Sequence, residues 1–177
     1  MLKKSLPGLG LIIGGAASGK SEFAENLVIS GGSPRVYLAT AQALDDEMRA
    51  RIARHADRRG PEWQLVEAPL DLPAVLGQLT PDRPVLLDCA TLWLSNQMMA
   101  QAALDKATTE LLTALDSCPA PVIVVTNETG QGVVPDNALA RAFREAQGRL
   151  NIRLAAQAEL VVQVIAGLPN VLKGQLP

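Results

Sequence analysis

At 177 residues, 48% of them hydrophobic, the chain is long enough to bury a core without metal or disulfide staples. A formal net charge of −2 and only 3% aromatic residues provide neither the basic stripe nor the stacking platforms that nucleic-acid binding favours. No stretch approaches the ~20 apolar residues of a membrane span. The short apolar run after Lys3 and Lys4 lacks a cleavage site, and the two cysteines, Cys89 and Cys118, lack CxxC spacing and read as free buried thiols; a cytoplasmic protein is expected.

In chain order, residues 9–13 read as a short buried strand that ends at a glycine run, and 21–29 as a helix closed by Ser30-Gly31-Gly32-Ser33-Pro34. Residues 35–40 form a second strand. Residues 45–58, rich in helix formers and charges, read as an exposed helix, 63–67 as a short strand and 70–79 as a helix. Residues 84–88 are a third apolar strand ending in a carboxylate. Residues 92–115 read as one long helix or two short ones, 121–126 as the most strand-like run, 137–158 as an amphipathic helix, and 160–165 as a final strand. Strands that are apolar throughout are covered on both faces, which predicts an α/β fold: a mostly parallel sheet between two helix layers, in one domain over residues 1–177. Ligands in such folds sit at the carboxyl ends of the strands. Thr40, Asp88 and Asn127-Glu128 all fall there, as does the glycine run.

That run is Gly14-Gly15-Ala16-Ala17-Ser18-Gly19-Lys20-Ser21, the spacing of a Walker A loop. Its glycines let backbone N–H groups turn around phosphate oxygens, and the helix that follows adds its positive end. Lys20 is expected on the β- and γ-phosphates, and Ser21 on Mg²⁺. Asp88 stands where a Walker B carboxylate would hold Mg²⁺, usually through water, although a strand-ending Asp is also a common turn former. His55, the only histidine, lies among Arg49, Arg51, Arg54, Arg58 and Arg59. A neutral imidazole is a competent nucleophile, but its spacing alone favours a solvent-facing residue on a charged helix. Glu67 and Glu128 are further strand-end acids able to accept hydrogen bonds or activate a hydroxyl. Arg141, Arg144, Arg149 and Arg153 on one helix offer cations to an anion, or simply form its wet face.

Together these segments resemble the bifunctional adenosylcobinamide kinase/adenosylcobinamide-phosphate guanylyltransferases of cobalamin biosynthesis. The resemblance starts at the glycine loop, continues through Tyr37-Leu38-Ala39-Thr40-Ala41-Gln42 and Asp45-Asp46-Glu47-Met48 to His55, and on to Leu86-Leu87-Asp88-Cys89. Its most specific stretch is Thr126-Asn127-Glu128-Thr129-Gly130 with Val133-Val134-Pro135-Asp136-Asn137, and it runs on to Gly148-Arg149-Leu150-Asn151. The resemblance implies a RecA-like P-loop NTPase fold, a homotrimer and two reactions. One phosphorylates adenosylcobinamide with ATP or GTP. The other transfers GMP from GTP through a guanylylated histidine to adenosylcobinamide phosphate. It assigns the nucleophile to His55 and nucleotide contacts to Thr40, Ala41, Gln42, Ala56, Asp57, Arg58, Arg59, Glu67 and Asp88. Ala17 stands where the family loop commonly has Arg, and Ile152 where it often has Gln. Without the resemblance, a P-loop kinase for another small metabolite and a nucleotide-switched binding module both fit the residues.

Overall fold

The computed structural model describes residues 5–42 and 60–177. The expected helix over 45–58, with His55, Ala56, Asp57, Arg58 and Arg59, lies outside the described residues. Seven strands form one sheet: β1 (Leu9–Gly14), β2 (Arg35–Ala39), β3 (Trp63–Glu67), β4 (Val85–Asp88), β5 (Val122–Asn127), β6 (Leu160–Ile165) and β7 (Leu168–Lys173). The helices are α1 (Lys20–Ser30), α2 (Leu72–Leu76), α3 (Ala90–Met99), α4 (Leu104–Ser117) and α5 (Ala138–Gln157).

The spatial order is β3-β2-β4-β5-β1-β6-β7, and every pairing is parallel except that of β6 with β7. Successive side chains of a strand point to opposite faces, and the apolar strands feed two cores accordingly. Leu9, Leu11, Val36, Leu38, Val85, Leu87, Val122 and Val124 pack with Leu72, Leu76, Trp93, Leu94, Leu111, Leu115, Leu150 and Leu154, so α2, α3, α4 and α5 cover one face. Ile12, Tyr37, Leu86, Ile123, Val125, Val162 and Val164 turn the other way, onto Ala24, Leu27 and Val28 of α1. This is the three-layer α/β arrangement expected from strands without a polar face.

Three local differences from the sequence reading have physical causes. The stretch expected as one helix or two is two: α3 and α4 are separated at residues 100–103, where Gln101 takes a left-handed φ of 56°. Helix α2 is shorter than 70–79 because the Asp71 carboxylate caps it, accepting from Ala74 N at 3.2 Å, and the helix gives way at Gly77. The strand expected to be final is followed by β7, joined to it by a two-residue turn with positive φ at Ala166 (52°) and Gly167 (78°), the signature of a type I′ hairpin.

Candidate active site

The carboxyl ends of the strands form one edge, and the glycine loop between β1 and α1 is its centre. Helix α1 has no side-chain cap: its N-cap is Gly19, at φ 88°. The first N–H groups of the helix therefore point out of the loop with no side chain to satisfy them, which is how a helix end receives phosphate. Lys20, the first residue of α1, is 8% exposed, and its Nζ donates to Gly15 O at 3.0 Å, which folds the ammonium over the loop. The glycines are required by contact. A Cβ on Gly14 would lie 2.5 Å from Ser18 Oγ and 2.7 Å from Val164 O, and one on Gly19 3.1 Å from Gly167 Cα. The β6–β7 turn thus closes the back of the loop, and Gly167 N donates to Ser18 O at 2.8 Å.

Asp88 ends β4, two strands from β1 across β5, or about 10 Å at ordinary strand spacing. Its Oδ2 accepts from the Tyr37 hydroxyl at 2.6 Å. Tyr37 is in turn packed edge-on against Trp63, with ring centroids 6.2 Å apart, and Arg35 lies over the same indole at 5.6 Å while pairing with Glu62 at 2.8 Å. Tyr37 and its supports are site residues that sequence reasoning missed as such, since a bond between neighbouring strands leaves no local pattern. Cys89, next in the chain, is buried. Desolvation first, and the Asp88 charge second, push its thiol up to about 11, while the Lys20 charge pulls the other way. Lys20 and Asp88 therefore act on the same small region. Among the described residues no group of three or more His, Cys, Asp or Glu gathers.

Thr40 is fully buried and its groups are all engaged. Its hydroxyl donates to Cys89 O at 2.7 Å and accepts from Cys89 N at 2.8 Å, its N donates to Asp88 O at 3.3 Å, and its O accepts from Asn96 Nδ2 at 2.8 Å. Thr40 thus pins the turn after β4, and Ala41 and Gln42 are the neighbours left at the surface. Glu67 is exposed at the end of edge strand β3, beside β2 and four strands from β1, about 19 Å away. The expected residues therefore fall into two groups along one edge. The glycine loop, Lys20, Ser21 and Asp88 form one and Ala41, Gln42 and Glu67 the other, with Thr40 between them, bonded to Asp88 and Cys89.

On the far side of β1, an open cleft of about 550 Å³ is lined by residues 14–18 of the loop, by Glu128, Thr129, Gln131 and Gly132, and by residues 163–166. Two arginines hold this rim. Arg141 donates to Pro135 O (3.0 Å) and Asp136 O (2.7 Å), and Arg144 to Gly130 O. These cations thus brace a loop, an outcome between the two readings of the helix charges. Arg149 pairs with Glu145, and Arg153 donates to Thr109 Oγ1 at 2.9 Å.

Residues 10–172 match the model of the family described as cobinamide kinase/cobinamide phosphate guanyltransferase. The chain belongs to this family. It is 43% identical over 175 residues to the bifunctional adenosylcobalamin biosynthesis protein CobU of Salmonella typhimurium, covering 89% of this chain and 96% of that protein. It is 44% identical over 168 residues to the bifunctional adenosylcobalamin biosynthesis protein CobP of Pseudomonas aeruginosa, with 93% and 97% covered. The CobU of Escherichia coli is 41% identical over 175 residues, with 89% and 96% covered. Among solved structures, the RadB recombinase superposes with a TM-score of 0.45 at 18% identity, over 90% of this chain and 75% of that one. As a member of the cobinamide kinase family, this chain keeps the expected P-loop, and no helix among its described residues is long and apolar enough to cross a membrane.

Proposed function

We propose that this chain phosphorylates adenosylcobinamide with ATP or GTP. It then transfers GMP from GTP, through a guanylylated His55, to adenosylcobinamide phosphate, giving adenosyl-GDP-cobinamide and pyrophosphate. The observation that carries this reading is the uncapped, lysine-bearing glycine loop with Asp88 beside it, in a chain of this family. One domain serves both reactions, since both need a triphosphate gripped at the same loop.

The loop amides and Lys20 hold the phosphates and stabilise the charge that develops on transfer. Ser21 and the Asp88 oxygen left open by Tyr37 make an all-oxygen donor set. That suits Mg²⁺, an ion that keeps several waters and takes one or two carboxylates besides phosphate oxygens. Bound by Ser21 and Asp88, Mg²⁺ would supply charge neutralisation on the β- and γ-phosphates. In guanylyl transfer the His55 imidazole attacks the α-phosphorus and pyrophosphate leaves; family resemblance assigns nucleotide contacts to Ala56, Asp57, Arg58 and Arg59. Ala41, Gln42 and Glu67 lie on the same strand-end edge and suit the nucleoside part. A cytoplasmic homotrimer completes the proposal. The exposed apolar side chains Met99, Val133, Val134, Leu139 and Ile152 are surface that association would cover.

The test is incubation with Mg²⁺ and GTP labelled at the α-phosphorus, then denaturation. Acid-labile, base-stable label is expected on the wild type and not on His55→Ala, with γ-labelled GTP as the parallel control. Lys20→Ala should lose both activities by about 100-fold or more while remaining folded. Label retained by His55→Ala, or guanylyl transfer retained by Lys20→Ala, would refute the scheme.

A further inference from the structure

The cleft on the β6 side shares residues 14–18 with the phosphate loop, but its wall of Glu128, Thr129, Gln131 and Gly132 has no part in the scheme above. Two of the residues that line it, Ser18 and Thr129, each carry a buried side-chain hydroxyl with no hydrogen-bond partner among the described residues. Buried polar atoms are almost always paired, and two unpaired hydroxyls on residues that line one opening mark groups that a bound molecule would satisfy. The only carboxylate among the lining residues is Glu128. It follows β5, the immediate neighbour of β1, and its main-chain N donates to Gly14 O at 3.0 Å, at the mouth of the phosphate loop. Its Oε1 accepts from Gly130 N at 2.5 Å, and Arg144 fixes Gly130 from the other side. Oε2 has no partner among the described residues. Of the three strand-end acids, Asp88 is bonded to Tyr37 and Glu67 stands four strands away. Glu128 is the one of the three that follows the strand paired directly with β1.

We propose that this cleft is the acceptor-alcohol subsite of the kinase reaction, with Glu128 as general base and the Thr129 hydroxyl orienting the acceptor. The proposal rests on the kinase reading above. The alcohol oxygen of the acceptor forms a bond to the γ-phosphorus while the bond from the γ-phosphorus to the β,γ-bridging oxygen breaks. The alcohol proton passes to Glu128 Oε2 and the nucleoside diphosphate leaves. Glu128 then returns the proton to water. Guanylyl transfer to the phosphorylated substrate involves no alcohol proton, so Glu128 has no part in it. A carboxylate merely holding the 128–132 rim would instead affect both reactions.

Glu128→Gln separates the two roles, because its amide oxygen can still accept from Gly130 N. We expect the kinase kcat of this variant to fall about 100-fold or more. Covalent loading from α-labelled GTP, and transfer to cobinamide phosphate supplied directly, should stay within about twofold of wild type. Glu128→Asp should recover part of the kinase rate. Thr129→Val should raise the KM for cobinamide about tenfold with little change in kcat. Basal γ-phosphate hydrolysis, in which water takes the place of the alcohol, should fall in Glu128→Gln as well. If the wild type does not phosphorylate cobinamide but its hydrolysis depends on Glu128, the corrinoid reading falls and the subsite stands. Unchanged kinase and hydrolysis rates in Glu128→Gln, or an equal loss of kinase and guanylyl transfer, would overturn the proposal.

Discussion

A buried polar knot behind the site gives a quantitative test of how α5 is fixed to β5. Thr126 and Gln147 are fully buried and Asn151 is 7% exposed. The Thr126 hydroxyl donates to Asn151 Oδ1 at 2.7 Å. Gln147 Nε2 donates to Thr126 Oγ1 (2.9 Å) and Asn151 Oδ1 (2.8 Å), and Asn151 Nδ2 donates to Asn127 O at 3.1 Å. Gln147 Oε1 has no partner among the described residues. Replacing Gln147 by Met removes two hydrogen bonds of about 1 kcal/mol each, but it also removes a buried lone acceptor whose desolvation costs about 1–3 kcal/mol. Thr126 and Asn151 keep each other as partners. The net change should lie within about 1 kcal/mol of zero. Asn151→Leu is different in kind. It removes three bonds and leaves the Thr126 proton without an acceptor, so a loss of about 3–4 kcal/mol is expected. For a chain of this size that lowers Tm by roughly 6–16 °C. Urea unfolding followed by the fluorescence of Trp63 and Trp93 reads both variants, with m unchanged. A Gln147→Met protein as unstable as Asn151→Leu would refute the asymmetry and the account of the knot.

Two further outcomes are expected. Ala166 carries a left-handed φ of 52° in a type I′ turn that favours Asn there, so Ala166→Asn should raise stability by about 0.5–1 kcal/mol, and a lower Tm would contradict this. Cys89 is buried and its thiol is held up to about 11, while half-buried Cys118 is raised by desolvation; alkylation of the folded protein near pH 8 should therefore modify Cys118 first and Cys89 only on unfolding. Because the folded thiol pKa of Cys89 exceeds its ordinary 9.0, its contribution to stability is full below about pH 9 and is lost as pH rises toward about 11. A urea midpoint that increases across that interval would reverse the sign.

The sheet was legible where residue chemistry and position are tied to each other. Strands β1, β2, β4 and β5 are buried on both faces and so are apolar throughout, and a Walker loop is a local pattern whose spacing is its function. Strand β7 was not legible because all six of its residues are exposed and Pro169 argues against a strand; only its pairing with β6 makes it one. At the candidate site, the expectations for Lys20, Ser21 and Asp88 come from motif position. The bond from Tyr37 to Asp88 and the closed pair of Thr40 with Cys89 join residues 51 and 49 positions apart, and no window of sequence contains both partners. Thr40 is marked by family position as a ligand contact; its bonds to Asp88, Cys89 and Asn96, by contrast, are legible only in the fold.

The hairpin turn after β6 has a consequence for biosynthesis. The phosphate loop is encoded near the start of the chain, but the surface behind Gly14 and Gly19 and the partner of Ser18 O come from residues 164–167. On the ribosome, a nascent chain that has already emitted its lysine and serine still lacks the backing that sets the loop's shape. A prematurely terminated chain ending before β6 would therefore carry the Walker motif without the backbone contacts that close it from behind.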